Sequence, residues 1–141
     1  MLYLVATPIG NLADFSPRAR EVLEGVDIVA CEDTRTSRQL FSLLGVNVKK
    51  TIASHDFNEE KAVPNLIEKL QSGLDIALVS DAGMPLISDP GYKLVHACRQ
   101  QGIEVTSIPG ANAVLTALQL SGLPSNAFYF GGFLPPKKNA T

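Results

Sequence analysis

Cysteine is nearly absent: Cys31 and Cys98 are the two in 141 residues. Neither stands in a metal-like spacing, and both fall in apolar stretches. They read as small core-filling residues in a chain from a reducing compartment. A chain of this length buries a core without disulfides or a structural metal. Basic excess is missing too. Twelve Lys and Arg against fourteen Asp and Glu leave a formal net charge of −2, so any nucleic-acid contact needs a local patch. No apolar run approaches the length of a membrane span. The opening Leu2-Tyr3-Leu4-Val5-Ala6 is too short for a signal peptide and has no basic region before it. The cytoplasm is the expected location, with no membrane contact. Repeats and low-complexity tracts are absent. An apolar share of 45% with 18% charged residues is that of an ordinary globular domain.

What is present is alternation. Short β-rich apolar runs at 2–6, 27–31, 50–54, 76–80 and 105–108 are separated by stretches with helical spacing. Several runs lack polar residues at every second position, as strands buried on both faces do. Ser16-Pro17 reads as an N-cap and first helical residue, followed by Ala19, Val22, Leu23 and Val26. Further helices are expected through Leu40–Leu44 to Gly45, through Val63–Leu70 to Gly73, from Gly91 to Gln101, and through Val114–Leu118 to Gly122. Pro64 makes the start of the third uncertain. The pattern predicts an α/β three-layer sandwich, a mostly parallel five-stranded sheet flanked by helices. Residues 1–127 are expected to form this domain. Phe128-Tyr129-Phe130 reads as a sixth short strand, and 128–141 as a strand and linker toward a second domain.

Ligands in such sheets bind beyond the carboxyl ends of the strands, so the five strand-end loops carry the functional expectations. The first, Ala6-Thr7-Pro8-Ile9-Gly10-Asn11-Leu12, is neither GxGxxG nor a Walker loop. Its proline turn and Gly10 can still bring backbone close to a ligand. The second, Cys31-Glu32-Asp33-Thr34-Arg35 with Arg38 beyond, can orient a polar substrate or bind phosphate. Asp33 or Thr34 reads equally well as a helix cap. The third holds His55 beside Asp56, a candidate proton acceptor. No nucleophile elbow accompanies it, so a hydrolase triad is not supported. The fourth, Ser80 to Gly91, is the most informative. Two glycines and two prolines shape it, Asp81 can accept hydrogen bonds from hydroxyl or amino groups, and Met84, Leu86 and Ile87 can form an apolar wall. The fifth, Ile108-Pro109-Gly110-Ala111-Asn112-Ala113, ends a strand and opens a helix, with Asn112 readable as a cap. None of the five has metal-ligand spacing.

Taken in order, Thr7-Pro8-Ile9-Gly10-Asn11, Glu32-Asp33-Thr34-Arg35, Ser80-Asp81-Ala82-Gly83 through Asp89-Pro90-Gly91, Ile108-Pro109-Gly110 and Gly132-Phe133-Leu134-Pro135 resemble the tetrapyrrole-methylase superfamily, the class III S-adenosylmethionine methyltransferases. Within it, the set resembles the branch that methylates the ribose 2′-oxygen of a cytidine in small-subunit ribosomal RNA. The resemblance covers essentially the whole chain, but only the N-terminal one of the family's two domains. It implies S-adenosylmethionine as cofactor, held by Pro8, Asp81, Ala82, Gly83, Met84, Ile87, Asn112 and Ala113. It also implies a homodimer in the full-length protein, and ribosomal RNA of the assembled small subunit as substrate. Asp33 and His55 are the candidate bases for the 2′-hydroxyl, and Thr34, Arg35 and Arg38 the candidate RNA contacts. Two stretches depart from the family pattern. Met84 and Leu86 stand where Thr and Gly are usual, and Ala111-Asn112 replaces Pro-Ser or Pro-Cys. Alternatives are a relative acting on a corrin or porphyrin precursor, whose first loop would run Gly-Pro-Gly-Asp-Pro, and a non-catalytic nucleotide-binding domain.

Overall fold

The structure is a computed structural model that describes residues 1–87 and 91–135. Five strands form one sheet: β1 (Leu2–Val5), β2 (Ile28–Cys31), β3 (Thr51–Ala53), β4 (Ile76–Val79) and β5 (Val105–Ile108). Their order across the sheet is β3-β2-β4-β1-β5, and every pairing is parallel. Five α-helices follow the strands in turn: α1 (Pro17–Gly25), α2 (Thr34–Leu44), α3 (Glu59–Gln71), α4 (Tyr92–Gln100) and α5 (Ala113–Ser121). The expected α/β architecture is therefore the observed one.

Side-chain alternation along the strands builds two cores. Val5, Val29, Cys31, Ala77 and Val79 face one side and pack with Leu23 of α1 and with Phe41 and Leu44 of α2. Leu2, Ile28, Ala30, Ile76 and Leu78 face the other and pack with Leu66 and Leu70 of α3 and with Leu94 and Cys98 of α4. β2 and β4 are buried at all four positions, which is why their runs carry no polar alternation. Each fully buried Leu, Ile or Val contributes roughly 1.5–3 kcal/mol. Cys31 and Cys98 are buried free thiols in opposite cores, and burial raises the pKa of both above the ordinary thiol range.

Helix ends follow the expected chemistry. Ser16 Oγ accepts from the Ala19 N–H at 3.0 Å with Pro17 at the first helical position, and Gly45 closes α2 in the left-handed region. Pro64 lies inside α3 rather than before it. The helix starts at Glu59, so the proline sits only one and a half turns in.

Two expectations fail or fall outside. Phe128-Tyr129-Phe130 is not a strand. No neighbouring strand pairs with it, and its rings stay 45–90% exposed. Ser88, Asp89 and Pro90, and residues 136–141, lie outside the described residues. Helix α5 also differs from the rest. It carries Val114, Leu115, Leu118 and Leu120, yet none of its residues is buried, and it belongs to neither core. Among the described residues no helix is long and apolar enough to cross a membrane.

Candidate functional site

All five strands point the same way, so their following loops gather at one end of the sheet. The first and fourth loops are joined there. Thr7 N–H donates to the Gly83 carbonyl and Gly83 N–H to the Thr7 carbonyl, both at 3.0 Å. Ser80 braces the same turn: its buried Oγ lies 2.9 Å from the Ala82 carbonyl oxygen and 3.2 Å from that of Gly83. The fourth and fifth loops meet through side chains, where Asn112 Nδ2 donates to Met84 Sδ at 3.6 Å. Asn112 Oδ1 meanwhile accepts from the Leu115 N–H at 3.1 Å, capping α5. Met84 and Asn112, one residue from each stretch expected to depart from the family pattern, are thus in contact.

These three loops enclose a cavity of about 320 Å³, lined by Ile9, Ala82, Gly83, Met84, Ile87, Asn112, Ala113, Val114, Phe130, Gly132 and Phe133. That volume suits a small ligand. Close backbone approach shapes the wall. Gly83 has φ +80°, and a Cβ there would lie 3.2 Å from Ile9 Cγ2 and 3.4 Å from the Ala111 carbonyl oxygen. A Cβ on Gly110 would stand 2.9 Å from that of Ala6. Leu86 holds a left-handed φ of 75° without being glycine, a strained position.

Six of the expected cofactor residues, Ala82, Gly83, Met84, Ile87, Asn112 and Ala113, line this cavity. Pro8 is buried and outside this lining, and Asp81 lines a different space. Ile9, Val114, Phe130 and Phe133 are lining residues that sequence reasoning missed. Apolar side chains carry no chemical marker, and only the positions of Ile9 beside Gly10 and of Phe133 in the Gly132–Pro135 stretch hinted at a role.

Asp81 lies instead in a second, polar cleft of about 460 Å³ with Glu32, Asp33, Thr34, Ala53, His55 and Phe57. The loop 80–83 divides the two spaces. Within the cleft the acids differ. Asp33 caps α2, its Oδ1 accepting from Arg35 N–H at 2.9 Å and Thr36 N–H at 3.3 Å. Those donors, Thr36 first, hold its pKa below the ordinary carboxylate value. Asp81 is shifted the other way. Desolvation raises its pKa first and the negative charge of Asp33 second, against a lowering hydrogen bond from the Asp33 N–H. His55 Nδ1 accepts from the Phe57 N–H at 3.2 Å, which leaves the proton of the neutral imidazole on Nε2. Arg35 and Arg38 are exposed on α2, and Arg38 is drawn to β3, where Thr51 Oγ1 accepts from its Nε at 3.2 Å and Nη2 at 2.9 Å. Among the described residues no cluster of His, Cys, Asp and Glu could hold a metal ion.

A family model described as tetrapyrrole (corrin/porphyrin) methylases matches residues 1–138. The chain belongs to the tetrapyrrole methylases. This tetrapyrrole methylase is 56% identical over 140 residues to the ribosomal RNA small subunit methyltransferase I of Vibrio cholerae, covering 99% of this chain and 48% of that protein. It is 58% identical over 136 residues to the protein of the same name from Mesorhizobium japonicum, covering 96% and 46%. The chain thus spans about half the length of the curated relatives it matches. Solved structures share the fold. Uroporphyrin-III-C-methyltransferase from Thermus thermophilus aligns with TM-score 0.63 at 24% identity, over 87% of this chain and 52% of that one. The cobalt precorrin-4 methyltransferase aligns with TM-score 0.65 at 16% identity, over 84% and 48%.

Proposed function

We propose that this tetrapyrrole methylase is the N-terminal, cofactor-binding part of an S-adenosylmethionine-dependent enzyme that methylates a cytidine 2′-oxygen in small-subunit ribosomal RNA of the assembled subunit. The observation that carries the reading is the division made by loop 80–83. Ala82, Gly83 and Met84 line a small glycine-cradled cavity, while Asp81 on the same turn lines an open polar cleft. A donor and an acceptor can therefore be held on neighbouring faces of one loop. The relatives at 56% and 58% identity, both named as ribosomal RNA small subunit methyltransferases, support the acceptor class.

The residues present fit the cofactor. The cavity joins apolar walls, for an adenine ring and the methylene chain of the methionine part, to backbone at Gly83, which lines it. Thr7 Oγ1, at the same loop junction, is buried with no hydrogen-bond partner among the described residues, a polar atom with capacity to spare. When bound, S-adenosylmethionine supplies a methyl group on a sulfonium sulfur, ready for transfer to an oxygen nucleophile.

The chain's own work is to position the ribose and receive a proton. Of the carboxylates in the cleft, Asp33 is committed to α2 and holds its proton weakly, whereas Asp81 has the raised proton affinity suited to a general base. With the cofactor bound, Asp81 would take the 2′-hydroxyl proton while the methyl group passes from the sulfonium sulfur to the oxygen and S-adenosylhomocysteine is left. His55, protonated on Nε2, donates a hydrogen bond to the substrate rather than taking its proton. On this reading Asp33 and His55, the bases expected from the sequence, take positioning roles beside Asp81. Thr34, Arg35 and Arg38, at the start of α2, face the RNA side.

The full-length proteins are about twice as long as this chain, and the uncovered apolar residues of α5 and of 128–135 supply a surface for a second domain. The test joins calorimetry with S-adenosylhomocysteine to methyl transfer on small ribosomal subunits. Asp81→Asn should abolish transfer while leaving cofactor affinity within about twofold. Wild-type turnover by Asp81→Asn would remove Asp81 as the base.

A further inference from the structure

Residues 34–54 carry Arg35, Arg38, Lys49 and Lys50 and no aspartate or glutamate, in a chain whose net charge is −2. All four side chains are exposed. Folding collects them on one margin of the molecule, because β3 is the last strand on its side of the sheet and α2 packs along it. Thr51 fixes the Arg38 guanidinium at that margin through two hydrogen bonds, and Arg35, three residues earlier on α2, shares the same helix face. A groove of about 390 Å³ runs beside them, with Arg38, Ser42, Asn47, Lys49, Lys50 and Thr51 in its lining. The loop that carries the lysines is anchored to α1. Lys49 Nζ donates to the Gly25 carbonyl at 3.3 Å, and Glu24, the acid that reaches this loop, accepts from the Asn47 N–H at 3.3 Å.

The basic margin has a direction. The eleven residues of α2 span about 16 Å. Arg35 lies in its first turn beside the polar cleft, and Lys49 and Lys50 lie at the far end, where the chain turns into β3. At the cleft end stands Phe57, 97% exposed, with its ring edge-on to that of His55 at 6.0 Å between centroids. A single exposed phenylalanine is ordinary on a protein surface. On the lining of a polar cleft that also holds Asp33 and Asp81, it offers a face on which an unstacked base can lie.

We propose that a single-stranded RNA segment follows the α2–β3 margin, with its phosphates on Lys50, Lys49, Arg38 and Arg35 and one base stacked on Phe57, delivering the target ribose to the cleft beside Asp81. This rests on the RNA reading above and specifies the route. The lysines and arginines carry sequence-independent affinity through phosphate contacts. Phe57 adds stacking, which every base can satisfy.

The two kinds of contact separate by salt. Binding of the full chain to a labelled single-stranded oligoribonucleotide from small-subunit ribosomal RNA is measured by fluorescence anisotropy across a series of potassium chloride concentrations. The double variant Lys49→Gln/Lys50→Gln should bind more weakly, with a slope of log affinity against log salt shallower by about 1.4, two single-strand phosphate contacts. Phe57→Ala should bind about tenfold more weakly, one stacked base, with the slope unchanged. Phe57→Ala should melt at the wild-type temperature, since its ring is exposed, and the lysine variant slightly below it, since Lys49 gives up its bond to the Gly25 carbonyl. RNA binding with an unchanged slope in the lysine variant, or unchanged affinity in Phe57→Ala, overturns the route and leaves the RNA reading standing. Lysine-dependent binding to phosphatidylserine vesicles with RNA binding unaffected also overturns it. Absence of any RNA binding overturns the route and the RNA reading together.

Discussion

Thr7 and Gly83 hold each other by both backbone groups, each N–H donating to the other's carbonyl at 3.0 Å. This isolated antiparallel bridge joins the loop after β1 to the loop after β4 and sets Ile9 and Gly83 on one cavity wall. Gly83→Val should damage that wall twice. A β-branched residue is strained at φ +80°, and its Cβ meets Ile9 and the Ala111 carbonyl. Titration calorimetry with S-adenosylhomocysteine should show at least about tenfold weaker binding, roughly 1.4 kcal/mol. Wild-type affinity would mean that the cofactor lies elsewhere.

Asp33 and Asp81 are coupled acids with opposite shifts. Replacing Asp33 by Asn keeps a good N-cap but removes a negative charge that raises the pKa of Asp81. The Asp81 carboxyl, followed by carbon-13 NMR, should therefore titrate at lower pH in Asp33→Asn. An unchanged or higher midpoint would contradict the coupling.

The same shifts fix the pH dependence of stability. The Asp33 pKa is lowered on folding, so its stabilising contribution is present above the unfolded value and is lost as pH falls through the folded one. The Asp81 pKa is raised, so its contribution is present below the unfolded value and is lost as pH rises through the folded one. In acid, Asp33→Asn should lose less stability than wild type as pH falls, measured by thermal melts between about pH 6 and 3, where carboxylates titrate. Parallel curves would contradict the cap's share.

Gly91 precedes α4 with φ +127°, and a Cβ there would stand 2.7 Å from Leu78 Cδ2 and 3.2 Å from Leu86 Cδ1. Gly91→Ala should cost at least about 2 kcal/mol in urea unfolding, from backbone strain together with overpacking. Adding Leu86→Ala should not restore stability, because the closer clash is with Leu78 in the core. Full recovery in the double variant would show that Leu86 alone limits the site.

Asn112→Ala should remove the α5 cap, at about 1 kcal/mol, and release Met84. Hydrogen exchange should rise at the Leu115 amide, which Asn112 Oδ1 accepts from. Unchanged protection there would mean that the cap contributes nothing.

The parallel core was legible because β2 and β4 are buried at every position, and such strands write themselves as uninterrupted apolar runs. Helix ends were legible where local chemistry decides them, as at Ser16-Pro17 and Gly45. Phe128-Tyr129-Phe130 misled for the reason strands are hard to read: its composition is β-rich, but a strand needs a ladder partner that composition does not reveal. Asp33 showed the same ambiguity. Its sequence reads equally as a cap or as a group that orients a polar substrate, and its contacts with Arg35 and Thr36 make it a cap. The split of the fourth loop between two spaces was also hidden, since the partner of Gly83 is Thr7, seventy-six residues away.

The methylated nucleoside itself distinguishes a ribose acceptor from a base. Full-length protein, labelled S-adenosylmethionine and undermethylated small ribosomal subunits are incubated together, and the RNA is digested to nucleosides and analysed by mass spectrometry. The account predicts label in 2′-O-methylcytidine, with incorporation abolished by Asp81→Asn. Label found on a base, or no label in either assembled subunits or naked RNA, would contradict it.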